Sequence, residues 1–259
     1  MKNILLIVIC CFGISLSIQA QDLPYLKHST FNAGETIKYK LKYGLFTAAE
    51  ASIQVVETDV KFDNKPTYHL SVQGNTSGTF DIFYKVRNRY DSYIDQKTFT
   101  PYLYTESVHE GKYKRADRAR FDQAEQKIVA KKGTFTSPVN QTFDLVSAYY
   151  FARNLDLSNT KVGDKFKIYY FIDDEVTPLT IEYTGVETIK TSLGKIRCLK
   201  FSPSIKPGRI FRKDSKLFLW VTDDANRIPV KAQVELVVGS VTMEISEASG
   251  LKQPLEVLN

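Results

Sequence analysis

Cysteine is the first scarcity. The chain of 259 residues has three, and Cys10 and Cys11 fall in its opening stretch, which leaves Cys198 alone in the rest. No disulfide can then brace the body of the chain, so stability has to come from a buried core. Histidine is as sparse: His28, His69 and His109 are the full set, and no two lie three or four residues apart. A zinc site, which needs closely spaced His and Cys ligands, finds no support in that spacing. His109-Glu110 lacks the second histidine of a metalloprotease helix, and neither a Gly-x-Ser-x-Gly elbow nor a phosphate loop occurs. With no catalytic set, no metal set and no cofactor motif, the expectation is of a protein that is not an enzyme. Charge of one sign is also missing. The 35 Lys and Arg against 29 Asp and Glu leave +6, spread too thinly for nucleic-acid binding but compatible with an anionic lipid or glycan surface.

Long apolar runs are absent after the first fifteen residues, so no membrane span is expected in the mature chain. The run that does exist, from Ile4 to Ile14, follows Lys2 and precedes small and polar residues ending at Ala20. That order reads as a secretory signal peptide over residues 1–20, cleaved after Ala20, with the product exported to the periplasm or the outer side of the envelope. Ile9 stands before Cys10 where lipoprotein processing wants a small residue, so lipidation is not expected.

What fills residues 21–259 is alternation. Ile37, Tyr39, Leu41 and Tyr43 interleave with lysines; Ala51, Ile53 and Val55 follow, then Tyr68, Leu70 and Val72. The same period-two pattern returns in Phe166–Ile172, Leu179–Tyr183, Val230–Val238 and Val241–Ile245, with turns at Asp63-Asn64-Lys65-Pro66, Asp173-Asp174-Glu175 and Thr222–Asn226. Leu217–Val221 is apolar on both faces and is expected to be covered on both. Residues Phe80–Asp95 are aromatic-rich, with a helical turn expected at their start. Only Thr142–Asn154 reads clearly as a helix, with Leu145, Ala148, Tyr149 and Ala152 on one face and Val146, Tyr150 and Phe151 covering much of the rest. Thr142 or Asp144 is expected to cap it, with no Glu or Gln to complete a capping box, and Asn154 to leave it in the left-handed region. The expected fold is therefore all-β with one helix. A single domain forms a curved antiparallel sheet or open barrel of about a dozen strands wrapped around that short helix.

Several passages resemble one family. Phe143–Arg153 resembles the D-x-x-S-A-x-Y-x-x-R core of the domain-of-unknown-function family numbered 3108, which comprises exported bacterial envelope proteins. Leu219–Val230 resembles that family's W-x-x-D…R-x-P-V hairpin. Tyr39–Ala51, Phe83–Asp95 and His109–Tyr113 are similar to the version in Bacteroidetes-type bacteria, although Asn88 stands where that version has an acid. The resemblance implies a β-rich exported domain and carries no catalytic residue or ligand with it.

One constellation remains as a candidate site: Arg87, Arg89, Tyr90 and Tyr93 in an aromatic strand, Tyr149, Tyr150 and Arg153 on the helix, and Trp220 on the two-faced strand. Alternation sets Arg87 and Arg89 on the face opposite Tyr90. Arg153 at the end of a buried helix needs a carboxylate, for which Asp91, Asp95 and Asp224 are candidates. If the pair is structural, it locks helix to sheet. If it is functional, arginine grips an anionic head group while aromatics line an apolar cavity. The favoured reading is an exported, non-enzymatic envelope protein that binds an amphipathic ligand, a lipid or lipid-linked glycan, in its concave sheet. The alternative is an assembly protein with a packed barrel that engages an envelope partner, for which Lys112, Lys114, Arg115, Arg118 and Arg120 offer a basic ribbon. A hydrolase of envelope polymers is the least supported.

Overall fold

The structure is a computed structural model that describes residues 23–204, 215–235 and 239–258. The expected signal peptide with Cys10 and Cys11, and Leu236 and Val238 of an expected strand, lie outside the described residues. In chain order the elements are β1 Thr36–Tyr43, β2 Phe46–Val56, β3 Lys61–Phe62, β4 Lys65–Thr76, α1 Gly78–Phe83, β5 Arg87–Asp95, β6 Pro101–Glu110, β7 Tyr113–Asp122, β8 Lys127–Ala130, β9 Gly133–Thr136, β10 Thr142–Phe143, α2 Leu145–Arg153, β11 Lys165–Ile172, β12 Glu175–Thr191, β13 Gly194–Pro203, β14 Leu217–Thr222, β15 Pro229–Glu235 and β16 Ser240–Ser249.

The strands form one curved sheet, in the order β10-β11-β12-β13-β14-β15-β16-β1-β2-β4-β5-β6-β7-β8-β9, with β3 paired to β4 beside that path. Neighbours in chain order are mostly neighbours in space, joined by tight turns. The first strand closes on the last, β1 pairing β16 with Tyr39 opposite Ile245. Sixteen strands exceed the dozen expected because β3, β9 and β10 are too short for a period-two pattern to show. There are also two helices among the described residues and not one. The helical turn expected near Phe80 is α1, six residues long with no side-chain cap.

The two ends of this sheet, β9 and β10, do not pair with each other. Side chains close the roll instead. Phe171 packs against Phe121 at 6.3 Å and Phe135 at 5.1 Å between ring centroids. Lys132 reaches Asp174 at 2.6 Å, and Arg115 reaches Asp173 at 3.3 Å. Gln123 acts as a substitute rung: its amide nitrogen donates to the Thr142 carbonyl at 2.9 Å, and its oxygen accepts from the Thr142 N–H at 3.0 Å. The free edge of β10 is thereby satisfied without a strand.

Helix α2 lies inside the curl, packed on β4, β5, β10 and β11. Val146, Ala148, Tyr150 and Phe151 are buried with Phe31, Leu70, Ile94 and Phe143. Phe31 meets Tyr150 nearly edge-on at 4.7 Å, and Phe143 lies 4.4 Å from Phe151. Each such side chain contributes about 1.5–3 kcal/mol by leaving water, which holds a helix too short to persist alone. Asp144, not Thr142, is the cap; it accepts from Val146 N and Ser147 N at 2.8 and 2.9 Å. Contrary to expectation a capping box does form, because the Ser147 hydroxyl, in place of a longer Glu or Gln, accepts from the Asp144 N–H at 2.9 Å. Asn154 leaves the helix at φ −97° rather than in the left-handed region. Its side chain is held between the Tyr150 carbonyl and the Thr30 N–H, which fixes the exit without a positive φ.

Candidate functional site

On its side facing β11 to β14, α2 is incompletely packed against the sheet. Ala148 and Ala152 are short there, while β11 to β14 project Phe166, Ile168, Leu179, Ile181, Phe201, Leu219 and Val221 towards them. Two methyl groups cannot bridge the distance that larger residues would fill, and a cavity of about 180 Å³ remains. Its wall is almost wholly carbon. Leu145, half exposed, lines both this cavity and a neighbouring pocket of about 20 Å³ bounded by Tyr104, Arg115 and Phe171.

Three polar side chains border the cavity, and two are fully engaged. The Tyr149 hydroxyl lies 3.0 Å from that of Tyr39, which in turn donates to the Pro229 carbonyl at 2.9 Å; burial pushes the Tyr149 phenol up to about 12. Arg153 donates to both oxygens of Glu35, at 2.5 and 2.9 Å, and to the Asn226 carbonyl at 3.2 and 3.0 Å. Burial opposes its charge, yet the Glu35 carboxylate holds the guanidinium above its ordinary value. The expected partners Asp91, Asp95 and Asp224 are therefore wrong. They serve β5 and the β14–β15 turn, whereas Glu35 sits just before β1 on the inward parity of Ile37 and Tyr39.

Arg227 is the third. It sits on the β14–β15 turn at φ +51°, its backbone N–H held by Asp224 Oδ1 at 3.2 Å. Its Nη1 donates to the Leu155 carbonyl at 3.2 Å, and it forms no ion pair among the described residues. Burial lowers its pKa, and the attraction of Asp223, Asp156 and Asp224 does not reverse the shift. A half-buried guanidinium that no carboxylate contacts, at an apolar cavity, attracts an anion.

Of the eight residues singled out in the sequence, Tyr149 and Arg153 border the cavity and the other six do not. Arg87 forms a two-point pair with Asp81 of α1 at 2.6 and 2.9 Å. Arg89 pairs with Asp91 at 2.7 and 2.9 Å, and Tyr93 stacks on His69 at 4.5 Å on the same face of β5. Tyr90 turns to the opposite face, against Tyr104. Tyr150 is consumed by the core beside Phe31. Trp220 points away from Leu219 and Val221; its indole N–H donates to Glu187 at 3.0 Å and its ring lies between Lys200 and Lys231. Sequence spacing could not gather these residues, because strand alternation divides β5 and β14 between two faces. Cys198 is buried, its thiol pushed up to about 12. No group of three or more metal-ligating side chains gathers among the described residues, and none of the described helices is long and apolar enough to cross a membrane.

The family model described as a protein of unknown function, DUF3108, matches residues 38–246. The chain belongs to this family. In this DUF3108 chain, the passage Asp144–Arg153 does one job. Asp144 and Ser147 cap the helix, Tyr150 fills the core and Arg153 ties the helix end to Glu35. No curated protein matches the chain. Among solved structures, a beta-barrel-like protein of the family DUF1849 from Brucella abortus is similar with a TM-score of 0.53 and 8% identity, over 85% of this chain and 98% of that one. A hypothetical protein from Chlamydia trachomatis is similar with a TM-score of 0.38 and 7% identity, over 86% and 91% of the two chains. A protein with YmcC-like fold from Bacteroides fragilis gives 0.35 and 10%, over 88% and 99%. The first likeness shows the beta-barrel-like fold of the DUF3108 chain and nothing finer.

Proposed function

We propose that this DUF3108 protein is an exported, non-catalytic carrier or sensor of an amphipathic lipid. A single acyl-chain end enters the cavity beside α2, and an anionic head group meets Arg227. The observation that carries the reading is the pairing of a carbon-lined void with a guanidinium that no carboxylate contacts among the described residues. A void of about 180 Å³ is slightly larger than the ~150 Å³ that admits benzene and smaller than the ~300 Å³ at which drug-sized sites begin. One chain end suits it; a sterol or a folded glycan does not. The leader at residues 1–20 supports export. The competing reading, an assembly protein with a packed interior, sits poorly with a void beside the only long helix described.

The test is titration of delipidated protein with a fluorescent fatty acid, alongside mass spectrometry of lipid extracted from gently purified protein. One saturable site is expected. Arg227→Met should weaken binding about 10- to 100-fold, the loss of a charge-assisted hydrogen bond worth about 1.5–3 kcal/mol. Ala148→Leu/Ala152→Leu, which fills the void, should abolish it with the protein still folded. No co-purified lipid and no saturable binding would refute the reading.

A further inference from the structure

The sheet order puts three connections side by side at one end of the roll: the β1–β2 turn, the segment containing α1, and the β6–β7 turn. They are hydrogen-bonded to one another. Ser77 N donates to the Ala48 carbonyl at 3.2 Å, and Gly111 N donates to the Lys85 carbonyl at 2.8 Å. At Gly111 the backbone is left-handed at φ +59°, and the Tyr84 ring lies so close that an added Cβ would sit 3.0 Å from it. The row is thus a built surface.

What it displays is unusual. Leu45 in the first turn is 97% exposed and Phe46, which opens β2, 69%; Ile82 and Phe83 of α1 are each 82% exposed. Tyr84 and Tyr113 complete the row, each about half in solvent. Scattered single apolar residues on a surface need no explanation, but adjoining turns that each extend their largest apolar side chains into water do. Packing does not require Ile82 or Phe83: α1 has no buried residue at all.

The charge between these side chains identifies the occupant. Lys85, Lys112 and Lys114 are exposed and in no ion pair among the described residues. Of the acids nearby, Asp81 is paired with Arg87, and Glu110 accepts from the Asn88 amide, so three unpaired lysines face one unpaired carboxylate. Lysines flanking projecting aliphatic and aromatic tips match the interface of an anionic bilayer, where apolar tips enter the acyl boundary and ammonium groups stay among the head-group phosphates. A protein partner would ask for a concave or flat apolar face, whereas these are convex tips on turns.

We infer that this end of the roll docks on an anionic membrane surface through the β1–β2 turn, α1 and the β6–β7 turn. The inference does not rest on the cavity. The experiment is flotation with vesicles of phosphatidylglycerol and phosphatidylethanolamine, compared with phosphatidylcholine alone, at low and high salt. Wild type should float with the anionic vesicles and be released by salt. Ile82→Asp/Phe83→Asp should cut the bound fraction at least tenfold with an unchanged melting temperature, since neither side chain is packed. Lys85→Glu/Lys112→Glu should remove the preference for anionic lipid. Ala148→Leu/Ala152→Leu should float as wild type does, which separates this surface from the cavity. Failure of folded wild type to float would overturn the inference. So would wild type that remains unbound but forms a dimer which Ile82→Asp/Phe83→Asp dissolves, because the patch would then cover a second copy.

Discussion

The Glu35–Arg153 pair gives the sharpest test of how the helix is held. Both side chains are shut off from solvent, at 0% and 1% exposure, and the guanidinium has three acceptors in the two Glu35 oxygens and the Asn226 carbonyl. Glu35→Gln keeps the shape and removes the negative charge, leaving a guanidinium buried among Phe31, Tyr149 and Tyr150 with no counter-ion. Breaking one side of a buried pair costs about 3–5 kcal/mol. For a domain of this size 1 kcal/mol moves the melting temperature by about 2–4 °C, so a fall of roughly 6–20 °C is expected. Arg153→Met should cost a similar amount by stranding the carboxylate. The variant Glu35→Leu/Arg153→Met/Tyr150→Phe removes both charges together with the Tyr150 hydroxyl that donates to Glu35 Oε1 at 3.5 Å, and orphans the Asn226 carbonyl, at about 1–3 kcal/mol. It should therefore be more stable than either single variant. Urea unfolding followed by the fluorescence of Trp220, the only tryptophan in the chain, measures all three. Single variants losing less than about 1 kcal/mol, as exposed pairs do, would refute the claim that this pair anchors the helix.

Two further outcomes follow from the same geometry. Leu145 divides the larger cavity from the small pocket next to it, so Leu145→Ala should shift the preferred fatty acid to longer chains and Leu145→Trp to shorter ones, measured by competition across a chain-length series. Identical preferences in all three proteins would show that Leu145 is no partition. The two-point hydrogen bond from Arg87, helped by Thr76, lowers the Asp81 carboxyl from 3.8 to about 2. A depressed carboxylate stabilises the fold fully above its unfolded value and ceases to as pH falls through its folded one. The protection factors of the α1 amides, measured against the intrinsic exchange rate at each pH, should therefore fall between about pH 4 and 2 and be steady above that, while Asp81→Asn should show low protection at neutral pH with no acid step.

Strand periodicity made most of the fold legible, because a one-faced strand writes its burial in alternate letters. Thr36–Tyr43 shows this, with Ile37 and Tyr39 buried and Lys38 and Lys40 exposed. The helix was legible for a different reason: nine residues with almost no polar face must be enclosed. What escaped notice were contacts made by residues outside any pattern. Gln123, in a turn, gives no sign that its amide will stand in for a strand. Asp144 and Ser147 form a box with a shorter partner than the usual one. Of the candidate site, half could have been read. Glu35 shares the parity of Ile37 and Tyr39, which sends it inward toward a buried Arg153, and only its place in a polar leader hid it. The cavity was hidden because it is written in what is small, Ala148 and Ala152, and smallness on a helix face looks the same whether a neighbour fills the gap or not. Arg227 stood in the passage that resembles the family hairpin, but a turn arginine reads as solvated until the fold closes Leu155 over it.

Those two alanines also separate a binding role from a purely structural one. If α2 existed only to fill the curl, leucine at both positions would do it better. A carbon-lined space of about 180 Å³ forfeits the van der Waals contacts that leucines at these two positions would make. The helix passage is otherwise fully engaged: its cap, its core tyrosine and its terminal arginine each have partners. A stability deficit confined to one carbon-lined space, beside the one guanidinium bordering it that lacks a counter-ion, is what a site emptied of an amphipathic ligand would show. The filling variant Ala148→Leu/Ala152→Leu should thus do two opposite things, raising the melting temperature of the delipidated protein while abolishing its lipid binding. A variant that is both less stable and still binds would mean that the space is not where the ligand sits.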